Sequence, residues 1–207
     1  MDLSEFASQV ETFLPAYLSA ADYRDVVEEL RKYPDTRNLY WYWQELGNLS
    51  DPLPLQGDCW SGIPIRDYES GKKKHVKAII LSNSCDISSS NTDWEDRNAI
   101  LSPIMRLDAY QKEVAELKGT ERADSVSSAI RKQELSRVMY FPPHGIEDEF
   151  IALLDDIYMV PLRDFYHSKD TCFFRLNNAG FFVFLLKLSI HFTRMQENVA
   201  RSGDPTV

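Results

Sequence analysis

Residues 55–105, LQGDCWSGIPIRDYESGKKKHVKAIILSNSCDISSSNTDWEDRNAILSPIM, contain three strand-like runs and decide the predicted fold. The runs are Asp58–Ile65, Val76–Ser82 and Arg97–Met105. The Ala-Ile-Ile-Leu series inside the second run indicates a strand that is buried on both faces. A polar loop at Arg66–Lys74 separates the first two runs, so antiparallel neighbours in a small barrel or meander are expected.

Helical periodicity flanks this strand-rich stretch on both sides. Residues 1–50 are predicted to form a helical extension, and its last helix is placed at the aromatic segment Asn38–Leu46. The remaining residues, 55–207, are predicted to form the barrel with a helical insertion at 107–136 and a C-terminal helix at 176–200.

Three further short strands are predicted at Val138–Phe141, Phe150–Leu154 and Ile157–Val160, before a turn or short helix. The C-terminal helix is apolar almost all round, with Lys187 placed off its main stripe. Such a helix is buried on most sides or docks against another chain.

The composition limits the class of protein and of partner. The chain has 207 residues, 43% of them hydrophobic, and a net charge of −9. An acidic chain suits a basic protein partner or simple solubility, whereas nucleic-acid binding would require a local basic patch. Three separated cysteines without a CxxC pair favour reduced thiols in the cytoplasm. The first residues do not resemble a signal peptide, and the longest apolar run, Gly180–Leu186, is too short for a membrane span.

Three short motifs resemble the first half of the MazF/PemK toxin family. They are QGDCW at 56–60, AIILS at 78–82 and AILSPI at 99–104, and together they span about a quarter of the chain. The resemblance implies an SH3-like barrel and an ancestral RNA-cleaving activity. The family's Arg-Pro pair would fall near Val76-Lys77, and its later Thr is Met105 here.

Those departures bear on the activity that the resemblance implies. RNA cleavage needs a base for the 2′-hydroxyl and a fixed cation for the phosphate. A lysine supplies charge but not the planar fork of an arginine. The sequence therefore favours a degenerate, non-catalytic barrel, with a divergent endoribonuclease or RNA-binding protein as the alternative.

A second resemblance concerns the genomic setting of such a barrel. A strand that ends in Ser-x-Ser-Cys-Asp at 82–86, a Pro142-Pro143 pair and a long C-terminal helix are similar to uncharacterised prokaryotic barrel proteins. Some of those lie in phage-defence operons, including CRISPR-associated ones. The resemblance implies a toxin-antitoxin-like accessory that binds a protein encoded beside it.

The candidate site residues fall into three groups. A catalytic role would rest on His75, Ser82, Ser84 and Asp86. Phosphate or RNA contact would rest on Lys72, Lys73, Lys74 and Lys77, which otherwise belong to a solvated hairpin loop. A partner surface would rest on Tyr40, Trp41 and Trp43, which otherwise attach a helix to the barrel.

Cys85 is a further candidate, because a cysteine beside a histidine can act as a nucleophile. The alternative is a small buried cysteine in a buried turn, with Asp86 bonding the backbone amides that follow. No HxH, HExxH or glycine-rich phosphate loop occurs, so neither a metal nor a cofactor is predicted. The prediction is an α+β protein that binds another protein, with no membrane contact.

Overall fold

The computed structural model describes residues 39–42, 53–67, 70–143 and 148–193, together with the isolated positions 24 and 28. Most of the extension predicted at residues 1–50 lies outside these ranges, although Arg24 and Glu28 are helical.

The described residues form eight strands and four bounded α-helices, besides a short 3₁₀ helix at Trp94–Asp96. The strands are β1 Tyr40–Tyr42, β2 Cys59–Arg66, β3 Lys73–Ile80, β4 Asn98–Arg106, β5 Val138–Phe141, β6 Phe150–Leu153, β7 Tyr158–Pro161 and β8 Cys172–Leu176. The helices are α1 Leu107–Lys118, α2 Thr120–Arg131, α3 Leu162–Ser168 and α4 Asn178–Thr193.

The strands join one antiparallel sheet in the order β1-β8-β2-β3-β4-β6-β5, with β7 paired to β4. Strand β4 connects two parts of the sheet, because its first half pairs with β7 and its last three residues pair with β6. The path has two ends, so the sheet is open within the described ranges. The α+β class with an antiparallel sheet is confirmed.

Both faces of the central sheet are covered, as the apolar run in β3 predicts. Ile79 belongs to a core that includes Val183 and Phe184 of α4. Its neighbours Ala78 and Ile80 belong to a second core that includes Leu162 and Phe165 of α3. Successive side chains of a strand point to opposite faces, and a run without polar interruption therefore needs cover on both.

The helical insertion has a third core of its own. Leu107 and Ile130, from α1 and α2, pack against Val138, Tyr140 and Ile151 of β5 and β6. The two helices meet at Gly119, whose φ of +86° suits a residue without Cβ.

Two predictions of local structure are wrong. Strand β1 occupies Tyr40–Tyr42 inside the helix predicted at Asn38–Leu46, and it pairs with β8, a strand that was not predicted. Aromatic residues favour strands where a partner edge is available, and β8 lies far along the chain. The loop predicted at Arg66–Lys74 is also shorter, since β3 begins at Lys73.

The C-terminal helix starts two residues later than predicted, at Asn178, and is described as far as Thr193. The placement of Lys187 off its buried side is wrong, because that residue is 3% exposed. Its Nζ donates hydrogen bonds to the carbonyl oxygens of Gln133, Leu135 and Val138 at 2.8 to 2.9 Å. The ammonium group thereby joins α4 to the chain between α2 and β5.

Candidate functional site

The four candidate catalytic residues do not converge. His75 lies within β3 opposite Pro64, and Ser82 follows the far end of that strand. At about 3.3 Å per residue, the stretch from His75 to Ile80 alone covers about 16 Å. A general base must lie within about 3 Å of the hydroxyl whose proton it takes, so this His–Ser pair cannot form.

The hydroxyl groups of both candidate serines stabilise loops of the fold. Ser82 Oγ accepts a hydrogen bond from the backbone N–H of Ile100 at 2.8 Å. Ser84 Oγ accepts one from the backbone N–H of Gln56 at 2.9 Å. Gln56 in turn donates from Nε2 to the carbonyl of Leu81 at 2.7 Å. These bonds fix the turn after β3 against β4 and against the chain that enters β2.

The turn itself is open to solvent, which corrects the prediction that it is buried. Cys85 and Asp86 are exposed, and Ile87 is the residue that enters the core. The predicted bonding of Asp86 to the amides that follow is replaced by an Asx turn, in which Asn83 Oδ1 accepts the N–H of Cys85 at 2.9 Å. Asp86 lies 3.8 Å from Arg97 Nη1. Among the described residues, no histidine hydrogen-bonds to the Cys85 thiol.

The lysine run is divided between the two faces of β3. Lys74 Nζ contacts Asp67 Oδ2 at 3.1 Å, across the turn that joins β2 to β3. Hydrogen bonds from the backbone and side chain of Ser70, and then from Lys74, lower the pKa of Asp67 to about 2. Lys73 and Lys77 project from the opposite face together with His75, because alternate residues of a strand share a side.

We call Arg66, Lys73, His75 and Lys77 the basic strip. Arg66 of β2 lies directly opposite Lys73 of β3, so the two side chains share a face. All four side chains are exposed. The Nζ of Lys77 lies 3.5 Å from the ring centroid of Phe173, which holds its ammonium group at one end of the strip. Lys72 is exposed just before this strand.

The proposed aromatic partner surface is wrong for Tyr40. That side chain is 0% exposed, contacts the rings of Phe141 and Phe174, and donates its hydroxyl to the carbonyl of Pro142 at 2.6 Å. The side chain of Trp41 and the whole of Trp43 lie outside the described residues. Tyr40 thus belongs to the core, because β1 places it between the sheet and the aromatic residues of β5 and β8.

A buried ion pair that the sequence did not predict lies beside the QGDCW motif. Arg175 donates to both carboxylate oxygens of Asp58, from Nε at 2.8 Å and from Nη2 at 2.7 Å. Asp58 also accepts the backbone N–H of Leu55, and Arg175 donates to the carbonyl of Leu53. Burial raises the pKa of Asp58, and the guanidinium group opposes that rise. The pair joins β2, β8 and the entering chain.

An exposed apolar surface lies where β4 pairs with β7. Ile100 and Met159 are directly opposite each other and are 44% and 71% exposed. Ile157, two residues before Met159, is 40% exposed. This surface lies beside the turn after β3, because Ser82 bonds the amide of Ile100.

No family model matches the chain, and a search of curated proteins found no match. Within the described ranges, no three residues among His, Cys, Asp and Glu are grouped as metal ligands would be. None of the helices in that part of the chain has both the length and the apolar character needed to cross a bilayer.

Proposed function

We propose that this chain is a non-catalytic protein-interaction module. The observation that carries the proposal is the separation of His75 from Ser82 along β3, combined with the structural use of both serine hydroxyls. A nucleophile requires an adjacent base, and a nuclease requires a fixed cation beside it. The candidate groups serve neither need, whereas their exposed neighbours are free to contact a partner.

The fold that we propose for the module is a divergent MazF/PemK-type, SH3-like barrel. Support comes from the consecutive antiparallel pairing of β2, β3 and β4 and from the approach of β7 to β2 across the sheet. The helical insertion and α4 are additions to this unit. The resemblance also supports a cytoplasmic, toxin-antitoxin-like role as an accessory of a CRISPR or other antiviral defence system, with an operon-encoded protein as partner.

The alternative is RNA cleavage or RNA binding by the same barrel. The departures at Val76-Lys77 and Met105 weigh against cleavage. They replace the arginine guanidinium group and the threonine hydroxyl that the resembling family carries. RNA binding would have to use the basic strip, since the remainder of an acidic chain repels a polyanion.

Affinity purification of the tagged full-length chain from its native cells tests the proposal. We expect a stoichiometric protein partner and no RNA cleavage above that of the buffer. Cleavage that is lost in His75→Ala or Ser82→Ala, but kept in the control His191→Ala, would establish the nuclease and overturn the module. His191 is a suitable control because it lies at the end of α4, where it contacts the ring of Phe192.

A further inference from the structure

The basic strip is distinguished by four neighbouring basic side chains on one face of β2 and β3. Arg66, Lys73, His75 and Lys77 contact no carboxylate among the residues that the structure describes. Elsewhere, seven cationic side chains each pair with an aspartate or glutamate. They are Lys74, Arg97, Arg106, Arg131, Arg137, Arg163 and Arg175.

The neighbouring basic side chains of the strip repel one another across the sheet. Arg66 and Lys73 are directly opposite each other on one face, and like charges in such a pair are destabilising. Lys74, one residue away on the other face, has Asp67 as its partner. In a chain with 32 acidic and 23 basic residues, carboxylates are in excess, so neighbouring basic side chains that contact none of the described carboxylates form a local positive surface.

We propose that the basic strip binds an extended acidic segment of a partner protein, an inference that rests on the proposed interaction function. Lys73, His75 and Lys77 repeat at every second residue of β3, a spacing of about 6.7 Å. An extended peptide with acids at alternate positions has the same repeat and can run along the strand face. The contact between Lys77 and the ring of Phe173 holds one ammonium group in place before the peptide arrives.

Protein rather than RNA fits the surroundings of the strip. Bases of single-stranded RNA bind by stacking on exposed aromatic faces. The two rings next to Lys77 do not offer such faces, because Phe150 is 6% exposed and the ammonium group covers Phe173. A net charge of −9 also opposes a polyanion that would extend beyond the strip, whereas a short acidic segment can stay within it.

Fluorescence anisotropy with the full-length chain tests this inference. The probe is a labelled peptide of about eight residues in which Glu and Thr alternate, long enough to pass all four side chains. The double variant Lys73→Gln/Lys77→Gln removes two charges of the strip. The matched control Lys112→Gln/Lys118→Gln removes two exposed charges from α1 and changes the net charge equally.

We expect the strip variant to bind the peptide about tenfold more weakly, since each lost surface pair contributes up to about 1 kcal/mol and tenfold is about 1.4 kcal/mol. The control variant should bind as the unchanged chain does. Absence of peptide binding, or equal weakening in both variants, would overturn the inference. Tighter binding of a single-stranded RNA of equal charge, lost in the strip variant, would assign the strip to RNA instead.

The proposed function is separable from this result. If the peptide fails to bind but the strip variant still co-purifies with its stoichiometric partner, the acidic-segment inference is wrong and the interaction module stands. If RNA is cleaved and no partner is recovered, the module itself is wrong.

Discussion

Asp58 and Arg175 show how one pair of residues can hold three parts of the chain together. The carboxylate is 1% exposed, and both of its oxygens accept hydrogen bonds from the guanidinium group. Removing two charges from water costs free energy, and the two hydrogen bonds of a bidentate pair only offset that cost. The intact pair therefore contributes little net stability, whereas removal of one partner would destabilise the fold strongly.

Replacing Arg175 by Met is expected to lower the free energy of unfolding by about 3–5 kcal/mol, because it leaves a buried carboxylate without its partner. Urea denaturation measures the change. The control is Arg163→Met, which breaks an exposed contact with Asp164 and should cost less than about 1 kcal/mol. Similar losses in the two variants would contradict the importance given to the buried pair.

Lys187 is a buried lysine in a mostly apolar helix, so the free energy of unfolding should depend on pH. Burial lowers the pKa of Lys187 to about 8 from its ordinary 10.5. Between those two pH values, the unfolded chain keeps a proton that the folded chain releases, so the free energy of unfolding rises with pH. The full difference corresponds to about 3 kcal/mol.

Unfolding in urea at several pH values compares the natural chain with Lys187→Met, which keeps the length of the side chain without its charge. We expect the stability of the natural chain relative to this variant to rise from pH 8 to 10.5. A constant difference across that range would mean that the three carbonyl oxygens retain the proton on Lys187.

At the scale of the elements, β2 depends on an irregularity at Ser61 and Gly62. The register of β2 against β3 shifts between Trp60 and Ile63, and Gly62 has a φ of +76°. A bulge of this kind turns the strand and brings its backbone close to the chain that leaves α3. There, the backbone N–H of Asp170 donates a hydrogen bond to the carbonyl oxygen of Ser61 at 3.0 Å.

Gly62→Ala should therefore be costly for two reasons, backbone strain and lack of space. A Cβ would lie 2.5 Å from the carbonyl oxygen of Ser168 and 2.6 Å from Asp170 Oδ2. Gly71→Ala is the control, since its φ of +66° imposes similar strain with no atom within 4 Å. We expect a loss of about 1 kcal/mol for Gly71→Ala and at least about twice that for Gly62→Ala in thermal unfolding. Equal losses would show that Ser168 and Asp170 move away from the added Cβ at little cost in free energy.

For the whole molecule, the three cores predict unequal local stability. The core of α1, α2, β5 and β6 is formed by residues distinct from those that pack around β3. The two regions are connected through β4, which pairs with β3 and β6, and through β5 and β6, whose other face includes Met139 and Ala152 of the core around Ile79. Separate clusters of this kind often open as separate cooperative units.

Ile130→Val removes one methylene from the core of the insertion and should cost about 0.5–1.5 kcal/mol. Hydrogen exchange followed by mass spectrometry should show faster exchange in α1 and α2, with little change in β3. A matched change, Ile79→Val, should instead affect β3 and its neighbours. Uniform acceleration after Ile130→Val would indicate one cooperative unit.

Much of the fold was predictable where the signal is local. The Ala-Ile-Ile-Leu run predicts the buried half of β3, and the break predicted at Gly119 ends the first helix of the insertion. The strand at Val138–Phe141 has the predicted bounds. The candidate site was less predictable, because whether His75 and Ser82 meet depends on the path of the strand between them.

The sequence by itself determined the α+β class, the strand-rich centre and the approximate positions of the helical insertion and the C-terminal helix, because periodicities of 2 and 3.6 residues act within short windows. Only the tertiary structure decided that Tyr40–Tyr42 is a strand, that Asp58 has Arg175 as its partner 117 positions away, and that Lys187 is buried. The tertiary structure also paired Lys74 with Asp67 and placed Lys73 and Lys77 in the basic strip. These outcomes depend on which distant segments pair and which faces they cover, and no local pattern encodes that choice.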